Sequence, residues 1–207
     1  MKFVLFVEGH TEDKLLPAFL KRWLDARLPR RVGIKPVRFD EWAELRREVK
    51  RKAHLHLNNP RAPDVVAVVS LLDLYGPTFY PSHLNAAAER YDWAKVWIEK
   101  EVAHPKFRHF FAVHEVEAWL LSQPDLFPPE VRSGFPGGIG QPEAINFDEP
   151  PAKLLGRLYR ERLRREYKKV THGKDLFDRL DPQVAADRCP RLREMLEEML
   201  QLAKDSA

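Results

Sequence analysis

The stretch Lys2-Phe3-Val4-Leu5-Phe6-Val7-Glu8-Gly9-His10-Thr11-Glu12-Asp13 decides the fold of this chain. Residues 2–7 are an apolar run of strand length, and Gly9 ends it. Beyond it Leu15, Leu16, Phe19, Leu20, Trp23 and Leu24 recur at helical spacing, so the passage reads strand, tight turn, helix. Thr11 is the expected helix cap, with Glu12 and Asp13 suited to the positive end of the helix dipole. In an open α/β sheet, ligands sit beyond the carboxyl ends of the strands, where Glu8 projects. A carboxylate there is costly to bury unless it is paired or bound to a cation.

Further along, Gly33–Phe39 reads as a short edge strand, because Pro36 removes a donor that a central strand would need. Residues 41 to about 56 form a charged helix. The valine-rich run from Asp64 to Asp73 is a strand buried on both faces and ends on an acid. Tyr75-Gly76-Pro77 is a turn, a helix runs from about Ser82 to Val102, and residues 107–113 supply another strand. This alternation predicts a mainly parallel sheet flanked by helices, with a helical C-terminal extension. The expected core spans residues 1–122. Residues 123–151, rich in proline and glycine, are expected as a loop or lid. Residues 152–207, divided by Pro182 and Pro190, are expected as helices packed on that core, giving a single domain.

Of the 207 residues, 35 are Lys or Arg and 31 Asp or Glu, a net charge of +4. So small an excess matters only where it clusters, and it does so at Arg157, Arg160, Arg162, Arg164, Arg165, Lys168, Lys169 and Lys174. No apolar run is long enough to span a bilayer, and the N-terminus lacks the flanks of a secretory signal, so no membrane association and a cytoplasmic location are expected. The single cysteine, Cys189, excludes an internal disulfide framework and a cysteine-rich zinc site, and reads as a packed residue before Pro190.

If the strands ending at Glu8 and Asp73 are neighbours, their ends lie about 5 Å apart and both side chains can approach one cation. Magnesium, or manganese in its place, suits hard oxygen ligands, retained waters and a substrate phosphate. Glu12 can face the same point. In His114-Glu115-Val116-Glu117, a helix would put His114 and Glu117 on one face, able to complete the shell or contact substrate. Other chemistries fail on spacing. Ala118 stands where a zinc-protease motif needs histidine, no serine lies in a Gly-x-Ser-x-Gly elbow, and Gly137-Gly138-Ile139-Gly140 follows no strand. Arg165, Lys168, Lys169 and His172 surround a helix break, where basic groups can position a phosphate backbone and neutralise developing charge.

Val7-Glu8-Gly9-His10-Thr11-Glu12 resembles the opening of Toprim-type domains, the magnesium-binding fold of topoisomerases, primases and overcoming-lysogenization-defect (OLD) nucleases. HEVEAWLL at 114–121, PEAIN at 142–146, YKKVTHG at 167–173 and Cys189-Pro190 resemble a bacterial domain-of-unknown-function family related to that fold. The resemblance implies a Toprim or Rossmann-like core and a magnesium-dependent nuclease acting on nucleic acid. By that resemblance Glu8 would be the acid near the reacting phosphate and Asp73 a metal ligand; the reading of the residues themselves adds Glu12 and Glu117 as metal ligands, with Glu115 as an alternative, Lys169 and His172 as further catalytic groups, and His114, Lys168 and Arg165 as substrate contacts. The resemblance also implies a role beside an ATPase partner in defence against phage or mobile DNA. The Asp-x-Asp of Toprim sites is Asp73-Leu74-Tyr75 here. That departure makes a catalytically weak binding or regulatory module the alternative.

Overall fold

The computed structural model describes residues 1–206. In chain order its strands and α-helices are β1 (Lys2–Glu8), α1 (Gly9–Asp25), β2 (Gly33–Phe39), α2 (Trp42–Leu57), β3 (Val65–Asp73), α3 (Ala87–Val102), β4 (Phe107–Ala112), α4 (Glu117–Leu121), α5 (Pro129–Arg132), α6 (Pro151–Leu163), α7 (Lys174–Arg179), α8 (Pro182–Arg188) and α9 (Pro190–Asp205). The strands form one wholly parallel sheet in the order β2-β1-β3-β4. The fold is α/β with a helical C-terminal part, as the alternation of elements predicts. β2 is an edge strand, so the missing amide of Pro36 is tolerated.

Side chains alternate across this sheet into two cores. Phe3, Leu5 and Val7 face α1 and the C-terminal helices, where Leu176, Phe177, Leu192 and Leu196 join the same cluster. Val4, Phe6, Val68 and Leu72 face α2 and α3 through Leu45, Val49, Tyr91 and Ile98. No helix among the described residues is long and apolar enough to cross a membrane.

The other edge, β4, is covered by charge. Glu99 Oε1 accepts the outward amide of His109 at 2.9 Å, and Lys95 Nζ donates to its carbonyl at 3.1 Å. Glu198 links Lys95 to Arg108. These groups satisfy an edge that could otherwise pair with another chain.

Several local expectations change. Helix α3 begins at Ala87 rather than near Ser82; Pro77 and Pro81 keep the preceding segment irregular. The segment 123–151 contains α5 and short 3-10 turns at Pro124–Leu126 and Pro142–Ala144, each opened by a proline fixed at helical φ. The break within the basic segment is a π-helical turn, Lys169–Gly173.

Candidate functional site

The passage from β1 to α1 contains no turn: Glu8 ends the strand and occupies the helix cap position, and the helix begins at Gly9. Thr11 is therefore inside the first helical turn and is not the cap. Gly9 makes the junction possible. Its φ of +87° is strained for any residue with a Cβ, and a Cβ there would lie 2.9 Å from Glu12 Oε2. The glycine thus bends the chain and leaves the Glu12 carboxylate its place.

Strand register sorts the acids. Val7 is opposite Leu71 in the β1–β3 ladder, so Glu8 is level with Leu72 and Asp73 extends one residue farther. By the pleat, Glu8 belongs with Phe6 and Leu72 on the α2 side, and Asp73 with Leu71 on the α1 side. Burial raises the proton affinity of Glu8, opposed by the backbone amide of Trp42 at the start of α2 and reinforced by Glu41. Glu8 nonetheless lines a narrow cleft with Glu12, Leu71, Leu72, Asp73 and Val116. It stands at the rim.

The centre is Glu12, Asp73 and Glu117. Asp73 Oδ1 accepts the Val116 amide at 3.2 Å. Burial drives its pKa well above the usual carboxylate range, and the charges of Glu12, Glu117 and Glu115 push the same way. Burial raises Glu12 to about 7, with Glu117 and Glu8 adding to the shift and Lys169 opposing it. Glu117, only 1% exposed, is also raised by burial. Lys169 Nζ lies 3.1 Å from Glu117 Oε1, yet neither oxygen of Glu117 receives a well-directed hydrogen bond. Burial alone would lower the pKa of Lys169, but Glu117 and Glu115 outweigh it, so the ammonium is retained. Lys169 thus pairs with Glu117, while its charge also favours the ionised forms of Glu12 and Asp73.

The sequence motifs separate in space. His114 precedes α4 with a φ of +68°, so it shares no helix face with Glu117. Its ring packs edge-on against Phe147, 5.1 Å between centroids, and its Nε2 is buried without a partner. Glu115 Oε2 accepts the Ala152 amide at the start of α6, 2.9 Å away, so this acid secures the helical part to the sheet. Lys168 exposes its side chain while its amide donates to His172 Nδ1 at 2.9 Å. His172 packs against Tyr159 and Tyr167 and shares a separate cavity with Arg165. PEAIN and Cys189-Pro190 meet elsewhere, where Glu143 accepts the Arg191 and Leu192 amides at the start of α9. Burial pushes the Cys189 thiol up, the opposite of nucleophile activation.

Tyr167 was not singled out by the sequence. Its hydroxyl is buried without a partner, 3.2 Å from where a Cβ on Gly173 would sit. Burial raises its pKa, and the charge of Glu117 adds to the rise. An aromatic residue two positions before Lys169 was the available signal.

Among the described residues, no three Asp, Glu, His or Cys side chains form a ready-made metal cage. The donor set still fits magnesium or manganese, which often bind through one or two carboxylates, waters and substrate oxygens. Burial, with the charges of neighbouring acids adding to it, raises Glu12 and Asp73, and a cation among them would offset both effects.

The geometry defines a class: a parallel α/β protein with buried carboxylates gathered beyond its central strands. The chain belongs to the family described as Domain of unknown function (DUF4276), whose model matches residues 7–200. Among solved structures it is similar to the C-terminal region of the Burkholderia pseudomallei OLD protein, at 18% identity and a TM-score of 0.47, over 99% of this chain and 98% of that chain. No curated protein matches it.

Proposed function

We propose that this protein is a Toprim-type nuclease dependent on magnesium or manganese that hydrolyses phosphodiester bonds in nucleic acid. The observation that carries the reading is the gathering of Glu8, Glu12 and Asp73 in one cleft, all with raised pKa, beside a buried Glu117 whose partner at ion-pair distance is Lys169. Structural ion pairs balance charge, whereas this cleft holds an acidic excess awaiting a cation. Glu12, Asp73 and Glu117 would hold the ion, with Glu8 at the rim beside the reacting phosphate. A bound divalent ion supplies charge neutralisation and water activation. Lys169 keeps its proton and faces the phosphate charge that grows during cleavage. Val116 orients Asp73 through its amide, and Gly9 leaves Glu12 free to turn into the cleft. The work extends to phage or mobile-element defence beside an ATPase partner, in the cytoplasm.

A second reading has one observation in its favour. Tyr75, in place of the second acid of Asp-x-Asp, is 65% exposed and offers no carboxylate to the cleft. A binding or regulatory module without turnover would retain the cleft and lack cleavage.

The test is manganese binding, read by electron paramagnetic resonance, alongside plasmid nicking for wild type, Glu12→Gln and Asp73→Asn. The nuclease reading expects both signals in wild type and their joint loss in the variants. Manganese binding without nicking supports the regulatory module; neither signal defeats both readings.

A further inference from the structure

His172 and Arg165 are drawn by their chemistry toward phosphate, yet they stand apart from the carboxylates. They line a cavity of about 580 Å³ with Tyr159, Arg179, Asp125 and Asp175. That volume is in the range of small-ligand sites. The geometry points to a second binding site here, one that takes a phosphate group through Arg165, Arg179 and the Nε2–H of His172.

The histidine is set for this role by the turn that carries it. Its Nδ1 accepts the Lys168 amide at 2.9 Å, so the neutral ring must carry its proton on Nε2, the nitrogen left to donate. The ring is steadied by Tyr159 and Tyr167, at centroid distances of 5.6 and 6.0 Å. The guanidinium of Arg165 lies 5.6 Å from the centroid of the Tyr159 ring. Among the described residues it meets no carboxylate at ion-pair distance. Arg179 donates from Nε to the Asp175 carbonyl at 3.1 Å and from Nη2 to the Leu126 carbonyl at 3.2 Å, which fixes its guanidinium and leaves further N–H groups. A planar fork with spare donors suits phosphate oxygens.

Two acids also face the cavity. Asp125 is paired with Arg132, so its charge is already answered. Asp175 then stands alone against Arg165 and Arg179 in the lining, and the balance is positive. The site also explains the division within the basic motif: one π-helical turn sends Lys169 to the carboxylates and His172 to the phosphate cavity. Binding here does not depend on the nuclease reading.

The phosphate can belong to a small molecule or to a nucleic-acid strand, and calorimetry distinguishes them. Inorganic phosphate and adenosine monophosphate form one arm; single-stranded oligonucleotides with a 5′-phosphate or a 5′-hydroxyl form the other. All are titrated with chelator present, so that metal bound at the carboxylates plays no part. Saturable binding is expected in at least one arm, weakened about tenfold by Arg165→Gln, the scale of one charge-assisted hydrogen bond. His172→Asn keeps an acceptor for the Lys168 amide and removes the Nε2 donor, so it should weaken binding similarly and covers a failure of the arginine variant to fold. Lys169→Met should lose nicking and retain phosphate binding, which separates this site from the first. No binding in either arm, or wild-type affinity in both cavity variants, overturns the proposal. Wild-type phosphate binding without nicking leaves this site standing and removes only the nuclease reading.

Discussion

Two acidic regions of this molecule invite comparison. Beside β4, Glu99, Glu194 and Glu198 surround Lys95, at 3.1, 3.9 and 3.6 Å, and Glu198 also engages Arg108. Beyond β1 and β3, Glu12 and Asp73 line a cleft with Glu8 at its rim and have no cation at ion-pair distance among the described residues, while Glu117 beside them pairs with Lys169 at 3.1 Å. The first region spends its acids on an exposed strand edge and on lysine and arginine side chains. The second leaves acids in surplus. Acidic content alone therefore says little; what sets the second region apart is that its carboxyl groups are crowded in a confined cleft with few cations beside them.

The contrast is broken most directly by removing acids. In chelator, Asp73→Asn should raise the melting temperature at neutral pH, because the cost of burying a carboxyl group beside other acids is removed; in manganese it should lose the stabilisation that wild type gains. Lys169→Met should reduce any nicking by on the order of 10²–10³, comparable with losing one preorganised donor to a charged transition state. An Asp73→Asn variant less stable than wild type in chelator would remove the claim of surplus charge.

At the β4 edge the opposite response is expected. Lys95→Met leaves the His109 carbonyl without its side-chain donor and takes one cation from Glu99, Glu194 and Glu198, which keep the His109 amide, Arg191 and Arg108, and should cost about 1–2 kcal/mol in urea unfolding, with no change in metal response. His109 sharpens the comparison through pH. It is fully buried, and burial, helped by Lys95 and Arg46, lowers its pKa from 6.5 to about 3. Its folded pKa is depressed, so the unfolded chain binds the proton first. Stability is complete above pH 6.5 and falls as pH drops from there toward 3, by roughly 2 kcal/mol at pH 5. His109→Leu should flatten that slope in acid titrations of unfolding, whatever it does to stability at pH 8. An effect no larger is expected for Gly9→Ala, at about 1–2 kcal/mol from the left-handed φ. Its informative readout is weaker manganese binding, since the new Cβ displaces Glu12.

Much of the architecture was legible because it depends on local pattern. The β1 apolar run, the helical recurrence from Leu15 to Leu24 and the valines of β3 each admit one packed arrangement, and Pro36 assigned β2 to an edge. The site was legible in part. Glu8 and Asp73 could be recognised as acids at strand ends, but their different sides follow from the one-residue offset of the β1–β3 ladder, where the register shifts between Lys2 and Phe3. Glu117 looked like half of a helical pair with His114 until the positive φ of His114 removed that geometry. The basic motif at 165–172 was legible as residues around a helix break, but that the break is a π-helical turn sending Lys169 and His172 to different places is not visible in residue spacing.

By itself, the sequence determined the element types, their order, the parallel sheet and the presence of acids at its carboxyl end, since periodicity and chain punctuation act over a few residues. Only the tertiary structure decided which acids meet, which of them is paired with a cation and which basic residues leave for a second cavity. Those outcomes depend on strand register and on helices brought from more than a hundred residues away. Both are fixed by packing against the sheet, and neither is encoded in any single stretch of chain.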